Sequence, residues 1–280
     1  MKNYGMVIDL DKCMGCYNCF LACRDEHYGN DFPPISSGQP FTGHFWMQIA
    51  ERERGKYPKV KVSFTPKPCM HCDDPPCAGP STNGAVSKRP DGIVIIDPEK
   101  SKGQKEIVSS CPHRVIFWNE EKKIPQKCTL CAHLLDQRWP EPRCVEACPT
   151  GALVFGDLDD PKSEFAKLWS TGQALAPELE LKPRVKYLAI PKRFVAGAVL
   201  LKDRDECAEN AKVTLTGRKK KQTVKTNNFG DFEFEGLGEG EAFTVKVEYP
   251  GYAPQSFEVQ TKNDVYLGDI LLKRAAKKKK

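Results

Sequence analysis

Four closely spaced cysteines near the start of the chain are the residues best suited to chemistry. They form the run C-x2-C-x2-C-x3-C, in which three thiolates can hold one iron–sulfur cluster and the fourth can ligate another. Zinc sites usually pair cysteines as C-x2-C across a longer gap, so successive steps of three residues fit tetrahedral zinc poorly. The spacing therefore predicts iron–sulfur ligation by Cys13, Cys16, Cys19 and Cys23.

The same cysteine cassette recurs along the chain in altered form. The apolar run at 6–9 leads into Cys13, and the run at 93–97 leads in the same way into Ser101, at an offset of 88 residues. Three cysteine positions are replaced at this offset, and a second match, at an offset of 67, replaces one more. Repetition of this kind indicates stacked copies of one unit. It predicts cassettes at 13–23, 69–81, 101–111 and 128–148, with lost ligand positions Ser81, Ser101, Gln104 and Ile107.

The lost positions predict how the cassettes pair. We assume that the fourth cysteine of each cassette ligates the cluster of a paired cassette. When the third cassette loses its cluster, the fourth cysteine of its paired cassette no longer has a cluster to ligate and should be lost as well. Ser81 is the missing fourth ligand, so the second cassette pairs with the third, and the first pairs with the fourth. Three sites follow: a first set of Cys13, Cys16, Cys19 and Cys148, a second set of Cys128, Cys131, Cys144 and Cys23, and a third set of Cys69, Cys72, Cys77 and Cys111.

Four thiolates per set, in cassettes of this form, predict three [4Fe-4S] clusters. The apolar runs at 115–118 and 152–155 follow the last cysteine of two cassettes and would shield the clusters from water. Because each set already has four thiolates, we expect His71 and His133 to hydrogen-bond near a cluster or to be ordinary loop histidines. No pattern marks the remaining candidates: His27, His44, His113 and the lone thiol Cys207, which is expected to be buried or inert.

The composition indicates a folded protein without membrane-spanning segments. The 280 residues are 40% hydrophobic, but no stretch approaches 18 consecutive apolar residues. We see no apolar run typical of a signal peptide, so the thirteen cysteines are expected to be reduced, in the cytoplasm. The net charge of +6 equals the charge of the lysine-rich end KRAAKKKK, at 273–280. A solvated tail explains this charge, and no nucleic-acid-binding pattern is present.

The elements that position the cysteines predict an α+β protein with a duplicated ferredoxin-type domain at 1–193. This domain contains an aromatic-rich insertion at 24–68 and a connector at 156–193, where Asp159 begins a short helix. We expect the insertion and residues 176–193 to lie against a partner, because their apolar residues would otherwise face water. Period-two alternation then predicts a seven-stranded β-sandwich at 194–272, followed by a disordered basic tail at 273–280.

Several segments outside the first cassette carry a resemblance to a known family. They are the motif K-C-T-L-C-A-H and the segments at 46–47, 51–58, 182–185 and 228–230. With the lost cluster, they resemble the electron-transfer subunits of the dimethyl sulfoxide reductase family of molybdenum enzymes. Within that family the chain is most similar to the small subunits of pyrogallol–phloroglucinol transhydroxylases and related phenol hydroxylases. The resemblance also identifies the β-sandwich as transthyretin-like.

The resemblance implies a heterodimer, or a higher oligomer, in which a large partner binds molybdenum with pyranopterin and acts on a phenol. This chain would transfer electrons, and no catalytic residue is predicted in it, because no Ser-His-Asp arrangement, phosphate loop or G-x-G-x-x-G segment is present. Three alternatives stay open: a subunit of another molybdopterin reductase, a free-standing polyferredoxin, and a zinc-stabilised interaction protein. The resemblance implies a phenol with several hydroxyl groups as substrate, and the particular phenol is not predicted.

Overall fold

The computed structural model describes residues 2–218 and 220–276. These residues form two compact units. The first unit holds the residues up to Glu51 together with Phe64–Ile190, and the second holds Arg52–Ser63 together with the residues from Pro191 on. The middle of the predicted insertion at 24–68 therefore belongs to the second unit, whereas the sequence pattern places the insertion entirely in the first.

Short strands and helices make up the first unit, together with a long hairpin whose tip belongs to the second. In chain order the elements are β1 (Tyr4–Asp9), α1 (Asn18–His27), β2 (Gln48–Lys56), β3 (Lys59–Lys67), β4 (Val86–Lys88), β5 (Val94–Ile96), α2 (Glu106–Ser109), β6 (Phe117–Asn119), β7 (Ile124–Gln126), α3 (Ala132–Asp136), α4 (Arg143–Glu146), β8 (Leu153–Asp157), α5 (Glu164–Thr171) and β9 (Val185–Leu188), with 3-10 turns at Pro76–Ala78 and Pro177–Leu179. The strands pair as the hairpins β2–β3, β4–β5 and β6–β7 and as one sheet of order β8-β1-β9.

Strand β1 is the centre of this three-stranded sheet. It runs antiparallel to β8, with Met6 opposite Phe155, and parallel to β9, with Met6 opposite Val185. The middle residues of β1 are continuously apolar and completely buried, as expected for a strand with neighbours on both edges and cover on both faces. The loop that follows β1 carries the first cysteines, so the sheet anchors the start of the first set.

Part of the segment 176–193, which is predicted to lie against a partner, packs inside the first unit. Within them, β9 is a core strand in which Val185 and Tyr187 are fully buried. The Tyr187 hydroxyl donates a hydrogen bond to the Pro66 carbonyl oxygen at 2.9 Å. The first unit itself covers Val185 and Tyr187, so the partner contact predicted for 176–193 would involve other residues of this segment. The helix expected after Asp159 is α5, which begins later, after Ser163, whose Oγ accepts the Ala166 N–H at 3.1 Å.

The second unit is a β-sandwich. In chain order its strands are β10 (Arg193–Leu201), β11 (Glu206–Cys207), β12 (Lys212–Gly217), β13 (Lys221–Lys225), β14 (Asp231–Leu237), β15 (Ala242–Glu248), β16 (Gln255–Gln260) and β17 (Val265–Leu272). One sheet has the order β11-β10-β14 with β17 parallel to β10, and the other has the order β13-β12-β15-β16. Alternate side chains of both sheets form one apolar core, which explains the period-two pattern of the sequence.

Two details of the predicted sandwich are wrong. The described residues form eight strands after Pro191, not seven, because the two-residue strand β11 is too short to give a period-two signal. The predicted tail begins too early: Arg274 forms a bridge with Tyr252, and the Ala275 N–H donates to the Gly251 carbonyl oxygen. Residues 277–280 lie outside the described residues.

Candidate metal centre

The four thiols of the first set line one cavity of about 310 Å³. Burial raises the pKa of Cys19 to about 12, and the neighbouring thiols of Cys13 and Cys148 contribute to this rise. Ala152 and Leu153, from the predicted apolar wall, also line the cavity. The structure thus brings together residues that lie far apart in the sequence, with Cys13, Cys16, Cys19 and Cys148 around one space.

The thiols of the second set meet in the interior of the first unit. Burial raises the pKa of Cys23 well above its usual value, and the thiols of Cys128 and Cys131 raise it further. The pKa of Cys144 is raised in the same way, by burial and then by the three other thiols of this set. All four cysteines are buried. The side chains around Cys23, Cys128, Cys131 and Cys144 therefore keep water away from whatever these thiols bind.

The third set lines a cavity of about 340 Å³. Val115 and Ile116 form part of its wall, as the position of this apolar run after Cys111 predicted. Burial, followed by the thiol of Cys69, raises the pKa of Cys72 to about 12. The cavity is lined by Cys69, Cys72, Cys77 and Cys111, although Cys111 belongs to a different cassette from the other three.

Two helices explain why one cassette serves two sets. Cys19 and Cys23 are four residues apart on α1, so both lie on the same face of the helix, about 6 Å apart along its axis. Cys144 and Cys148 have the same spacing at α4, which packs against α1. A helix turn of this length can deliver its first thiol to one set and its second thiol to the next.

The loops between the cysteines turn their backbone N–H groups toward sulfur. The His71 N–H lies 3.4 Å from the Cys69 Sγ, and the Leu130 N–H lies 3.4 Å from the Cys128 Sγ. His71 and Leu130 both adopt positive φ, which turns the chain tightly around the thiols. N–H donors of this kind stabilise the thiolate form that a metal requires.

The four positions at which a cluster is predicted to be lost are filled by protein. Ile107 is completely buried and belongs to a small apolar core with Val94 and Ile96. The Gln104 side chain accepts the Thr82 N–H at 2.8 Å and donates to the Lys100 carbonyl oxygen at 2.7 Å. These contacts occupy the place that a cluster would need, because a side chain and its hydrogen bonds have replaced the ligands. The other two lost positions, Ser81 and Ser101, bond to backbone carbonyl oxygens nearby.

The second set is a neighbour of both other sets. Burial and the other thiols of the second set raise the pKa of Cys144 most. Cys19, of the first set, is close enough to raise this pKa further. Cys69, of the third set, is the charged neighbour that most raises the pKa of Cys128, of the second, after burial. The second set therefore borders the first and the third, and the first reaches the surface at Cys16, which is exposed.

The histidines near the sets are buried side chains. His71 lines the cavity of the third set, and its Nδ1 accepts the Val94 N–H at 3.0 Å, so its buried Nε2 carries the proton and has no partner among the described residues. His133 bonds to Glu26 at 2.9 Å. No sequence pattern selects His27, but its Nε2 lies 3.8 Å from the Cys131 Sγ. The two residues are 104 positions apart, so only the fold reveals this contact.

The donor chemistry fits iron–sulfur clusters. Each set presents four thiols, which are all buried in the second set, mostly buried in the third and mostly accessible in the first. No carboxylate lines the cavity of the first or the third set. Among the described residues, no group of three or more His, Cys, Asp or Glu side chains is arranged to hold a single metal ion. A cluster bound by four thiols would take up and release one electron at a time. The described helices include none with the length and apolar character needed to cross a membrane.

One glycine provides a test of the first set. Gly15 has a φ of +69°, and a Cβ added there would lie 2.5 Å from the Phe64 ring. We expect Gly15→Ala to displace the loop that carries Cys13 and Cys16 and to lower the iron content by about one cluster's share. Gly43→Ala is the matched control, because its φ is +71° and nothing lies within 4 Å of the added Cβ. Gly43→Ala should lower the free energy of unfolding by about 1 kcal/mol, measured by thermal unfolding, and should leave the iron content unchanged. Equal iron loss in both variants would contradict the proposed role of this close contact.

Two family models match the chain. A 4Fe-4S dicluster domain matches residues 60–158, and a carboxypeptidase regulatory-like domain matches residues 195–273. Together with the thiol sets, these matches define a ferredoxin-type iron–sulfur protein with an appended transthyretin-like β domain.

Three curated proteins show which family this is. The pyrogallol hydroxytransferase small subunit of Pelobacter acidigallici is 43% identical over 97% of this chain and 100% of its own length. A sulfite dehydrogenase subunit of Allochromatium vinosum is 36% identical (69% of this chain, 85% of its own), and the arsenate respiratory reductase iron–sulfur subunit of a Shewanella species is 31% identical (66% and 95%). The chain belongs to the family of iron–sulfur electron-transfer subunits of the dimethyl sulfoxide reductase type, which confirms the resemblance found in the sequence.

Proposed function

We propose that the chain is the electron-transfer subunit of a molybdopterin-dependent oxidoreductase or transhydroxylase, and that it carries three [4Fe-4S] clusters. The observation that carries this proposal is the grouping of twelve thiols into three neighbouring sets of four, of which the first reaches the surface at Cys16. Closely spaced sites suit the stepwise movement of single electrons. The chain's own part is to hold the clusters, keep water from them and set their potentials.

We propose phenols with several hydroxyl groups as the substrate class of the complex. This proposal is supported by the similarity to the pyrogallol hydroxytransferase small subunit, which extends over nearly the whole of both chains. We place the substrate and the molybdenum, with its pyranopterin, on the large partner, because the two cavities described above are lined largely by thiols and apolar side chains. This chain would contribute no catalytic residue.

We propose that the large partner docks over the opening of the first set. Four exposed or half-exposed apolar side chains lie at or near this opening, with the Phe45 ring against that of Phe20 on α1, and we call them the docking face: Met14, Tyr17, Leu21 and Phe45. Met14 and Tyr17 line the cavity of the first set, and Leu21 follows Tyr17 by one turn of the α1 region. An apolar patch beside a redox site is typical of a protein interface, since contact there both buries apolar surface and shortens the distance for electron transfer.

The docking proposal is tested by a charge placed on this face. Leu21 is 58% exposed, so Leu21→Glu should leave the chain folded and its iron content unchanged. We expect it to weaken binding to the large partner at least about tenfold, because a carboxylate would be buried in an apolar contact. Phe229→Glu is the matched control, since Phe229 is a 68% exposed residue of the second unit. Affinity is measured by co-purification and by titration of the two purified subunits.

The outcome also separates the rival functions. A wild-type chain that retains the large molybdenum partner supports the proposal, and unchanged binding by Leu21→Glu would move the docking site elsewhere. A chain that is isolated with its clusters and binds no large partner would be a free-standing polyferredoxin. A colourless chain that holds zinc and lacks acid-labile sulfide would be a zinc-stabilised interaction protein.

A further inference from the structure

Lys127 is a buried lysine between the second and third sets. It is 2% exposed, although lysine is almost never fully buried without a partner of opposite charge. Its Nζ donates hydrogen bonds to the carbonyl oxygens of Val94 and of Cys128, the latter at 3.1 Å. No carboxylate among the described residues forms an ion pair with it. The protein atoms therefore leave its positive charge without a counter-charge.

The surroundings of Lys127 supply candidates for that counter-charge. It lines the cavity of the third set and directly precedes Cys128 of the second. Burial raises the pKa of Cys77 to about 11, and the positive charge of Lys127 opposes this rise. The charge of Lys127 also opposes the rise at Cys128, where burial and Cys69 act first. Lys127 is thus electrostatically coupled to one thiol in each of the two sets.

The position of Lys127 is held rigidly. Its Nζ bonds to the carbonyl oxygen of Val94, while the N–H of the same residue donates to the fully buried His71. Both polar groups of Val94, in β5, are therefore bonded to side chains that line the third set. A side chain fixed in this way keeps its charge at a constant distance from both sets.

We propose that Lys127 is the shared counter-charge of the second and third sets and that it raises the reduction potential at both. This inference rests on the proposed function. A cube held by four thiolates has a net negative charge, which offsets the cost of burying the ammonium group. Reduction adds one electron, supplied by an outside reductant, and no bond forms or breaks. The fixed positive charge stabilises the added negative charge, so reduction becomes more favourable at these two sets than it would be without Lys127.

The proposal is tested with Lys127→Met in the full chain, by redox titration with dithionite under electron paramagnetic resonance. Methionine matches the lysine side chain as far as Cε and lacks the charged Nζ. Of three reduction steps, we expect two to shift to lower potential, each by about tenfold in the equilibrium constant, or about 59 mV for one electron. The step of the first set should not move. Lys162→Met is the control for loss of an exposed lysine in the first unit and should move no step.

A second variant separates loss of charge from loss of hydrogen bonds. Lys127→Gln retains an N–H donor for the two carbonyl oxygens and lacks the charge, so it should give the same two shifts. Three unmoved steps, or three equal shifts, in either variant would overturn the inference. If both variants lose iron, the loss must be confined to the second and third sets, with about four iron atoms kept; loss from the first set overturns the inference. A wild-type chain without iron–sulfur signals would instead overturn the proposed function.

Discussion

Replacing Cys23 with serine should disrupt the second set and spare the first, although Cys23 shares helix α1 with Cys19. The reason is that the Cys23 thiol is surrounded by Cys128 and Cys131, whereas Cys19 lies beside Cys13 and Cys148. Removal of one ligand opens an iron to solvent, so we expect that cluster to lose one iron or to be lost. Electron paramagnetic resonance of the purified variant should show a new three-iron signal or one signal fewer.

Two further variants control this result. Cys111→Ser should affect only the third set, whose cavity it shares with Cys69, Cys72 and Cys77. Cys207→Ser should affect none, because Cys207 lies exposed on strand β11 of the second unit. If Cys23→Ser perturbs the cluster of Cys13, Cys16 and Cys19 alone, the pairing of cassettes is wrong, and so is the argument from the lost fourth cluster.

The largest effect on stability is expected at Asp264, in the second unit. Its carboxylate accepts hydrogen bonds from Arg54 Nε at 3.0 Å, from Arg54 Nη2 at 2.9 Å and from the Phe194 N–H at 3.0 Å. The side chains of Arg54 and Asp264 are only 9% and 3% exposed. Asp264→Ala would leave the guanidinium buried without its partner, so we expect a loss of roughly 3–5 kcal/mol in the free energy of unfolding of this unit.

This loss is measured by hydrogen exchange of the β10 and β17 amides in the full chain, since slow amides report the opening free energy of their own region. Arg204→Ala is the matched control in the same unit, because the Arg204–Glu206 pair is 53% and 63% exposed and the charges are 3.8 Å apart. It should cost less than about 1 kcal/mol. Equal effects of the two substitutions would show that burial of the Arg54–Asp264 pair contributes nothing to stability.

The cysteine sets could be predicted from sequence because iron–sulfur ligation leaves a local signature. Three ligands of the first set lie within one short loop and helix, from Cys13 to Cys19, and the lost positions pointed to the pairing. The structure then placed each predicted group of thiols together. The β-sandwich was equally accessible, because alternating buried and exposed residues follow directly from the geometry of a strand in a two-layer packing.

Other features depend on contacts between distant parts of the chain and left no local signal. Strand β9 pairs with β1, although the two strands lie near opposite ends of the sequence of the first unit. A nearby proline favoured the prediction of a connector at this position in place of a core strand. In the sequence, Arg54 is one of several alternating charged residues, a pattern typical of an exposed strand. Only the fold shows that it forms a buried ion pair with Asp264. In the sequence, Lys127 is a lysine next to a cysteine, and nothing there indicates that its charge is buried. Burial of a charge depends on how distant parts of the chain pack around it.

The central claim, that the chain holds three four-iron clusters, is tested most directly by anaerobic determination of iron and acid-labile sulfide per chain. Three sets of four thiolates, each holding one [4Fe-4S] cluster, predict about twelve iron atoms and about twelve sulfides per chain. About eight would mean that one of the three sets is not used. About sixteen would mean that the filled positions around Gln104 and Ile107 do hold a cluster, and either result would contradict the account.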